Sequence, residues 1–262
     1  MKILLINLAK DVDRLQSSHR KFSDLGLSFE RLDAVNGRAM SEKDYQDFVA
    51  ARPRDSKFGW ARGAVGCFLS HMNAWKICAE GDGNCVAIFE DDLHISTDMP
   101  YFLNDESWMP EGFDIIRMES PTNRVKLSKS PLHSVRGRGV FRVGSTSWCA
   151  GSYILSKQGA QKLLSLPEKF HHTTDLLMFS YEDSVIAEKL NTYQISPSLT
   201  IQDKYFNAGA ASQAFQSNIE TPDAGSTDRV TAADKLKHLN FMELALMAKK
   251  TFLGYKRIPF RP

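Results

Sequence analysis

The first 35 residues alternate between a strand pattern, a helix pattern and a second strand pattern. Residues 2–7 (KILLIN) form an almost continuous apolar run, which is typical of a strand buried on both faces. The helical stripe that follows consists of Val12, Leu15, Phe22 and Leu25, with Gly26 suited to end the helix. Residues 28–35 (SFERLDAV) then resemble a second strand. A β-α-β start of this kind predicts an α/β fold with a mostly parallel central sheet.

The same two patterns recur further along the chain. The spacing of apolar residues predicts a helix over residues 63–80, and Ser156 is suited to N-cap a later one. Strand patterns occur at residues 86–89, 113–118, 148–155 and 192–196. We therefore expect one α/β domain over residues 1–205, with helices flanking its sheet.

The apolar run Val86–Phe89 ends abruptly in three carboxylates, Glu90, Asp91 and Asp92. Side chains alternate along a strand, so we expect Glu90 and Asp92 on one face and Asp91 on the other. The carboxyl ends of parallel strands are where open α/β sheets bind ligands. Adjacent like charges are costly unless a cation neutralises them, and Mg²⁺ and Mn²⁺ bind carboxylate and phosphate oxygens. The run predicts a site for a metal and a phosphate group, with a solvated acidic turn as the alternative.

Composition and charge exclude several classes of protein. The formal net charge is +2, so wholesale binding of nucleic acid is not expected. The cysteines Cys67, Cys78, Cys85 and Cys149 have neither C-x-x-C nor zinc-site spacing, which predicts buried free thiols in a reducing compartment. The N-terminal apolar run is too short for a signal peptide, and no stretch is long enough to span a membrane. A cytoplasmic protein is expected.

The last quarter of the sequence differs from the rest. Residues 206–230 are small and polar and predict a linker or surface excursion, whereas residues 231–262 predict an amphipathic helix with a basic tail. The tail, residues 249–262, has five bases, no acids and interleaved aromatic residues. This composition favours peripheral contact with an anionic membrane, the alternative being a solvated tail.

A second basic stretch covers residues 124–142, where arginines and lysines are mixed with Pro, Ser and Gly. The composition predicts a mobile loop. Its charge is suited to a lid over a diphosphate or to contact with an anionic acceptor, and a solvated surface is the alternative.

Several blocks of the sequence resemble, in order and spacing, glycosyltransferase family 25, which includes lipooligosaccharide biosynthesis enzymes and collagen galactosyltransferases. The combination of GAVGCFLSHMNAW (63–75) with VAIFEDDLHIS (86–96) is the most specific part. The other matching blocks are INLAKDVDR (6–14), FERLDAVNG (29–37), SWCAGSYILSKQGAQKLL (147–164) and TTDLLM (173–178). The resemblance covers roughly residues 2–200.

The resemblance implies a GT-A type nucleotide-sugar-binding fold, a UDP-hexose donor, a divalent metal and inversion at the anomeric carbon. At the matching positions it implies that Asp92 is the principal metal ligand, with Glu90 and Asp91 beside it. The other residues implied to lie at the nucleotide sugar are Asn7, Arg14, Ser70 and His71.

An inverting transfer needs a carboxylate that deprotonates the acceptor hydroxyl. Asp175, in the block TTDLLM, is the first candidate for this base. Glu182 and Asp183, which we expect at the start of a following helix, are the rival candidates.

The sequence thus predicts a metal-dependent, inverting hexosyltransferase on the inner face of the cytoplasmic membrane. The expected donor is a UDP-hexose, with galactose favoured by the resemblance, and the expected acceptor is a lipooligosaccharide or another saccharide. Two alternatives are a metal-dependent nucleotidyl- or phosphotransferase and a non-catalytic sugar-nucleotide-binding protein that docks on membranes. The absence of a G-x-x-x-x-G-K-[ST] loop disfavours the first alternative.

Overall fold

The computed structural model describes residues 1–52, 60–206 and 253–262. The predicted linker, apart from Phe206, and most of the predicted C-terminal helix lie outside the described residues. The described strands are β1 (Lys2–Asn7), β2 (Glu30–Asp33), β3 (Cys85–Glu90), β4 (Leu93–Ile95), β5 (Ile115–Arg117), β6 (Val125–Lys126), β7 (His133–Val135), β8 (Arg138–Arg142), β9 (Ser152–Ser156), β10 (Thr192–Ser196), β11 (Thr200–Gln202) and β12 (Tyr255–Lys256). The described α-helices are α1 (Val12–Asp24), α2 (Glu42–Ala50), α3 (Arg62–Glu80), α4 (Met99–Leu103), α5 (Lys157–Leu164), α6 (Thr174–Phe179) and α7 (Asp203–Phe206).

The main sheet has eight strands in the order β2-β1-β3-β9-β5-β10-β8-β7. Strands β1, β2 and β3 are parallel to one another, and β5 is parallel to β10. Strand β9 lies between these two groups and is antiparallel to both β3 and β5, and β8 is antiparallel to its neighbours β10 and β7. Among the described strands of this sheet, only β8 and β9 therefore run opposite to the others, and the prediction of a largely parallel α/β sheet is confirmed.

Helices cover both faces of the sheet. Val86 and Ile88 of β3 belong to a core that also contains side chains from α3, α5 and α6. Ala87 and Phe89, the alternating residues of the same strand, belong to the opposite core with side chains from α1 and α4. The continuous apolar run in β3 follows from this burial on two sides.

Helix α3 lies unusually close to the chain that follows β2. A Cβ atom on Gly66 would lie 2.4 Å from the Val35 carbonyl oxygen and 2.6 Å from the Gly37 nitrogen. Ser70, one turn further along the helix, accepts a hydrogen bond from the Val35 amide through its Oγ at 2.8 Å. The glycine thus permits a backbone approach that brings the middle of α3 to the carboxyl edge of the sheet.

The prediction of a mobile basic loop over residues 124–142 is wrong. This stretch contains β6, β7 and β8, and β8 pairs with β10 inside the main sheet. The Arg138 guanidinium is fully buried and donates to Ser96 Oγ at 2.6 Å and to Asp98 Oδ2 at 2.9 Å. Arg142 donates to Asn191 Oδ1 at 2.7 Å. These two arginines hold strands and loops together, so their charges are not those of a lid.

The end of the chain packs against the domain. Strand β12 pairs with β6, Ile258 is 3% exposed, and the Pro259 carbonyl accepts a hydrogen bond from the Ser198 amide at 2.8 Å. Arg261 makes an ion pair of 3.1 Å with Asp98. Residues 253–262 are therefore not a free tail, although Lys256 and Arg257 within them are exposed. In the part of the chain that the structure describes, no helix has both the length and the apolar character needed to cross a membrane.

Candidate active site

Glu90, Asp91 and Asp92 lie at the carboxyl end of β3, immediately before β4. Two cavities open beside them, of about 110 Å³ and about 460 Å³. Glu90 and Asp92 line both cavities together with Cys67, whereas Asp91 lines only the smaller one. The alternation along the chain thus places the first and third carboxylates at the junction of the two cavities, as the strand pattern predicts.

Asp91 is held by the residues that the resemblance assigns to the nucleotide. It is 7% exposed and accepts hydrogen bonds from Asn7 Nδ2 at 2.6 Å and from Arg14 NH1 at 2.9 Å. Burial raises the pKa of Asp91, and the contacts with Arg14 and Asn7 offset part of that rise. Asn7 and Arg14 also line the smaller cavity. Their side chains therefore fix the central carboxylate at the cavity wall.

Ser70 and His71 come from helix α3, but they differ in what they contact. The Ser70 hydroxyl donates to the Gly66 carbonyl at 2.6 Å and accepts from the Val35 amide, so it stabilises the wall of the smaller cavity. His71 Nε2 lies 3.2 Å from Glu90 Oε1, and its Nδ1 lies 2.8 Å from the Tyr153 hydroxyl. His71 therefore contacts the carboxylate cluster directly.

A chain of hydrogen bonds favours one tautomer of His71 when no ion is bound. Trp75 Nε1 donates to the Tyr153 oxygen at 2.9 Å. The Tyr153 hydroxyl can then donate its own hydrogen to His71 Nδ1. A neutral imidazole in this arrangement carries its proton on Nε2, which faces Glu90. All three of these side chains are fully buried. The arrangement supplies Glu90 with a positioned N–H donor.

Glu90 and Asp92 are shifted in opposite directions. Burial disfavours ionisation of Glu90, but its pKa is nevertheless lowered because His71 donates to it and lies close enough to stabilise the negative charge. Burial and repulsion from Glu90 raise the pKa of Asp92 to about 7. Asp92 Oδ1 is also buried without a hydrogen-bond partner within the described residues. An orphaned carboxylate oxygen beside a second carboxylate fits a divalent cation, whose charge would favour ionisation of both.

A fourth carboxylate, Glu119, lies close enough to Glu90 and Asp92 for their charges to act on it. It is 1% exposed, and its Oε2 accepts a hydrogen bond from the Gly151 amide at 2.6 Å. Burial, with repulsion from Glu90 and Asp92, raises the pKa of Glu119 to about 8, despite the nearby Arg117 guanidinium. Glu119 therefore ionises less readily than an ordinary glutamate.

The candidate bases fall in two different places. Asp175, in the first turn of α6, lines the larger cavity, and its Oδ1 accepts a hydrogen bond from the Leu176 amide at 2.9 Å. Glu182 and Asp183 are exposed, are absent from the lining of both cavities, and lie in a turn rather than at the start of a helix. The Asp183 carboxylate accepts a hydrogen bond from Ser180 Oγ at 2.7 Å. Asp175 therefore shares a cavity with Asp92, and the other two acids do not.

Two residues at the site were missed by sequence reasoning. Cys67 contacts Glu90 Oε1 at 3.7 Å and Thr174 Oγ1 at 3.6 Å, whereas the sequence suggested only a structural thiol. Its spacing of four residues from His71 on a predicted helix was a usable signal, because such residues share a helix face. Lys204 lines the larger cavity, and its charge favours ionisation of Glu90 and offsets a small part of the rise in the pKa of Asp92. No motif pointed to Lys204. All four cysteines are free, as predicted, but only Cys78 and Cys85 are buried.

Comparison with known proteins identifies relatives of this chain. Residues 1–178 match the family model of glycosyltransferase family 25 (LPS biosynthesis protein). The lipooligosaccharide biosynthesis protein lic2B of Haemophilus influenzae is 24% identical over 98% of this chain and 98% of its own. The lacto-N-neotetraose biosynthesis glycosyltransferase LgtB of Neisseria meningitidis is 27% identical over 77% of this chain and 74% of its own. Procollagen galactosyltransferase 1-A of Xenopus laevis is 29% identical, over 63% of this chain but 28% of its own.

Similarity to solved structures is weaker. A glycosyltransferase involved in the glycosylation of the major capsid of PBCV-1 superposes with a TM-score of 0.40 at 10% identity, over 77% of this chain and 91% of its own.

The protein described here is a glycosyltransferase, and its homologues imply a nucleotide-sugar donor and a saccharide acceptor. More particularly, the chain belongs to glycosyltransferase family 25.

Proposed function

We propose that this protein is a metal-dependent, inverting hexosyltransferase that acts in lipooligosaccharide biosynthesis. The observation that carries the proposal is the junction of two cavities at Glu90 and Asp92. The smaller cavity, next to Asn7 and Arg14, suits the nucleotide, and the larger one suits the hexose and the acceptor saccharide. Galactose is the favoured hexose and UDP the favoured nucleotide. Support for galactose comes from the name of the procollagen relative, and support for the acceptor from that of the Haemophilus relative.

Asp92 and Glu90 are the residues that would hold Mn²⁺ or Mg²⁺. The support is that Asp92 Oδ1 has no hydrogen-bond partner in the described part of the chain, and that both side chains offer only oxygen ligands. When bound, the ion would neutralise charge on the departing diphosphate. Lys204, in the wall of the larger cavity, supplies a further positive charge next to the carboxylates.

Asp175 is our candidate for the general base. In the proposed reaction its carboxylate takes the proton of the acceptor hydroxyl, whose oxygen forms a bond to the anomeric carbon. The bond between that carbon and the diphosphate oxygen breaks on the opposite face, and UDP leaves. The position of Asp175 in the cavity that also contains Asp92 supports this role, and the exposure of Glu182 and Asp183 disfavours them.

We further propose that the protein works at the inner face of the cytoplasmic membrane, through residues 249–262. Exposed Lys256 and Arg257 support an electrostatic contact, whereas Arg261 is engaged by Asp98. Lys249 and Lys250 lie outside the described residues. A glycolipid acceptor would place the reaction at that surface.

The decisive experiment measures UDP release from a panel of UDP-hexoses, with and without Mn²⁺ and with oligosaccharide acceptors present. We expect metal-dependent release from one donor by the wild type and by the matched control Asp82→Ala, which removes an exposed carboxylate. Asp92→Ala should lose roughly 100-fold or more of this activity.

Two results would contradict the proposal. Undiminished release by Asp92→Ala would remove the metal site from the mechanism. Cleavage between the two phosphates, detected as UMP, would instead identify a nucleotidyl- or phosphotransferase.

A further inference from the structure

Three different kinds of metal-binding atom converge beside the active-site carboxylates. They are Cys67 Sγ, His71 Nε2 and Glu90 Oε1, and all three lie within 4.8 Å of one another. The His71–Glu90 separation is 3.2 Å and the Cys67–Glu90 separation is 3.7 Å. Thiol and imidazole are not ligands that Mg²⁺ prefers, so this cluster differs in chemistry from the oxygen pair of Glu90 and Asp92.

Two of the three separations are close to those of a tetrahedral site. Zinc is bound by sulfur, nitrogen and oxygen at about 2.0–2.3 Å, which places neighbouring ligand atoms roughly 3.3–3.8 Å apart. The Cys67–Glu90 separation of 3.7 Å falls within that range, and the His71–Glu90 separation of 3.2 Å lies just below it. No large rearrangement of the three side chains is therefore needed to enclose an ion.

The surrounding elements and hydrogen bonds hold the three side chains of the cluster in place. Cys67 and His71 are four residues apart on α3 and therefore share one face of the helix, while Glu90 ends the neighbouring strand β3. The second ring nitrogen of His71 contacts the Tyr153 hydroxyl, which in turn accepts from Trp75. Outer partners of this kind orient a metal-bound histidine. Cys67 and Glu90 line both cavities, so an ion has a path to the cluster.

We propose that Cys67, His71 and Glu90 form a second metal site, selective for borderline or soft divalent cations such as Zn²⁺. Binding releases the thiol proton of Cys67 to solvent. The imidazole stays neutral: Nε2 loses its proton and Nδ1 gains one, and the Tyr153 hydroxyl turns its own hydrogen away so that its oxygen accepts the Nδ1–H. The Nε2 lone pair is then free for the ion. The fourth ligand position faces the cavities and is open to water or substrate.

The site has a consequence for turnover that rests on the proposed function. Glu90 would belong to both the oxygen site and the thiolate site, so occupation by Zn²⁺ removes a carboxylate from the Mn²⁺ or Mg²⁺ ion. Zn²⁺ also binds nitrogen and sulfur ligands more tightly than Mn²⁺ does. The thiolate site is therefore inhibitory.

Cobalt(II) absorption spectroscopy tests the site without any need for activity. Co²⁺ added to the full chain should produce the near-ultraviolet charge-transfer band of a cobalt–thiolate bond and the visible bands of a tetrahedral ion. Zn²⁺ should abolish these bands at stoichiometric amounts, whereas Mg²⁺ at the same concentration should leave them unchanged. The absence of the charge-transfer band from the spectrum of the wild type would overturn the proposal.

Matched cysteine variants locate the ligand. Cys149→Ser removes the other thiol in the wall of the larger cavity and should keep the band. Cys67→Ser should lose it while retaining the wild-type melting temperature in the absence of metal. Cys67→Ala, which carries no oxygen ligand, serves as the second variant if the serine variant does not fold. A band that persists in either folded Cys67 variant would refute the assignment.

The inhibitory consequence is measured separately. With Mn²⁺ present, UDP release is measured with and without Zn²⁺ for each protein. The factor by which Zn²⁺ reduces release should be at least tenfold larger for the wild type than for Cys67→Ser. Equal inhibition of both proteins would refute the inhibitory role. If no UDP-hexose is turned over, the proposed function fails, but the cobalt bands still decide whether the site exists.

Discussion

At the scale of single residues, adjacent carboxylates at the end of β3 differ because their neighbours differ. Glu90 faces the His71 N–H, and its pKa is lowered despite burial. Asp92, two residues on, has no such donor at Oδ1 among the residues that the structure describes, and burial raises its pKa to about 7. Asp91 between them is tied to Arg14 and Asn7. Three consecutive acids therefore have three different environments: a hydrogen-bond donor at Glu90, an ion pair at Asp91 and an unpaired oxygen, within the described residues, at Asp92.

The assignment of the general base leads to a prediction for Asp175→Asn. The amide preserves size and can still accept a hydrogen bond from the Leu176 amide, but it cannot take a proton from the acceptor. We expect UDP binding to be unchanged and transfer to fall roughly 100-fold or more. Calorimetric titration with UDP and a transfer assay separate the two effects.

Glu182→Gln and Asp183→Asn are the matched variants for this test, since they make the same chemical change at exposed positions. Both should keep near-normal transfer. If one of them loses activity while Asp175→Asn keeps it, the base is that residue instead.

The buried acid Glu119 predicts a pH dependence of stability. Its pKa is about 8 in the folded protein against an ordinary value of 4.5, so the unfolded chain loses this proton first as pH rises. The contribution of Glu119 to the free energy of unfolding therefore decreases between about pH 4.5 and pH 8, by a few kcal/mol at most. Glu119→Gln removes this titration and should flatten the decrease.

Urea unfolding at pH 5 and pH 8, in the presence of a chelator, measures the effect of Glu119→Gln. The exposed Glu182→Gln variant is the control and should retain the wild-type dependence. An unchanged difference between the two pH values in Glu119→Gln would show that Glu119 ionises normally in the folded protein.

At the scale of secondary-structure elements, helix α3 carries more of the site than any single motif suggests. It supplies Cys67, Ser70 and His71, and Gly66 allows it to approach the chain after β2. A methyl group at Gly66 would meet backbone atoms at 2.4 and 2.6 Å, which neither neighbour can relieve by rotating a side chain. The position of the helix therefore depends on this glycine.

We predict that Gly66→Ala lowers the free energy of unfolding by about 1–3 kcal/mol and weakens binding of UDP. The physical reason is displacement of α3 from the wall of the smaller cavity. Gly83→Ala is the matched control, because a Cβ there would meet its nearest atom at an ordinary 3.6 Å. Chemical denaturation and UDP titration of both variants provide the measurement, and a Gly66→Ala protein with wild-type values for both would contradict the prediction.

The elements differ in how well the sequence predicted them. Strands β1 and β10 match the predicted bounds, since each combines apolar or β-branched residues with a clear stop signal. The region of β6–β8 was misread because its arginines are inside hydrogen-bond networks rather than in water, and a single sequence does not show such partners. The cluster of Glu90, Asp91 and Asp92 could be predicted, because one strand carries all three. The contact of Cys67 and His71 with Glu90 could not, because it depends on how α3 packs against β3.

At the scale of the whole molecule, the proposed membrane contact depends on where basic residues remain exposed. Deleting residues 253–262 would be a poor test, because it would also remove β12 and the buried Ile258 side chain. Reversing the charge of Lys256 and Arg257 leaves that packing in place. Each basic residue near an anionic surface contributes about 1 kcal/mol, so the double reversal should weaken binding at least tenfold.

Cosedimentation with phosphatidylglycerol vesicles measures this binding. The control is the Lys43→Glu/Lys189→Glu variant, which makes the same change in net charge at two other exposed lysines. Equal binding by the Lys256→Glu/Arg257→Glu variant and the wild type would exclude these two residues from the contact.

Strand β9 has a consequence for how the protein assembles. It is the link between the β2-β1-β3 half of the sheet and the β5-β10-β8-β7 half, and it comes from a later part of the chain than either neighbour, β3 or β5. The pairing of β9 with its two neighbours brings Tyr153 to His71 and the Gly151 amide to Glu119. The active site is therefore complete only when β9 has joined the two halves of the sheet.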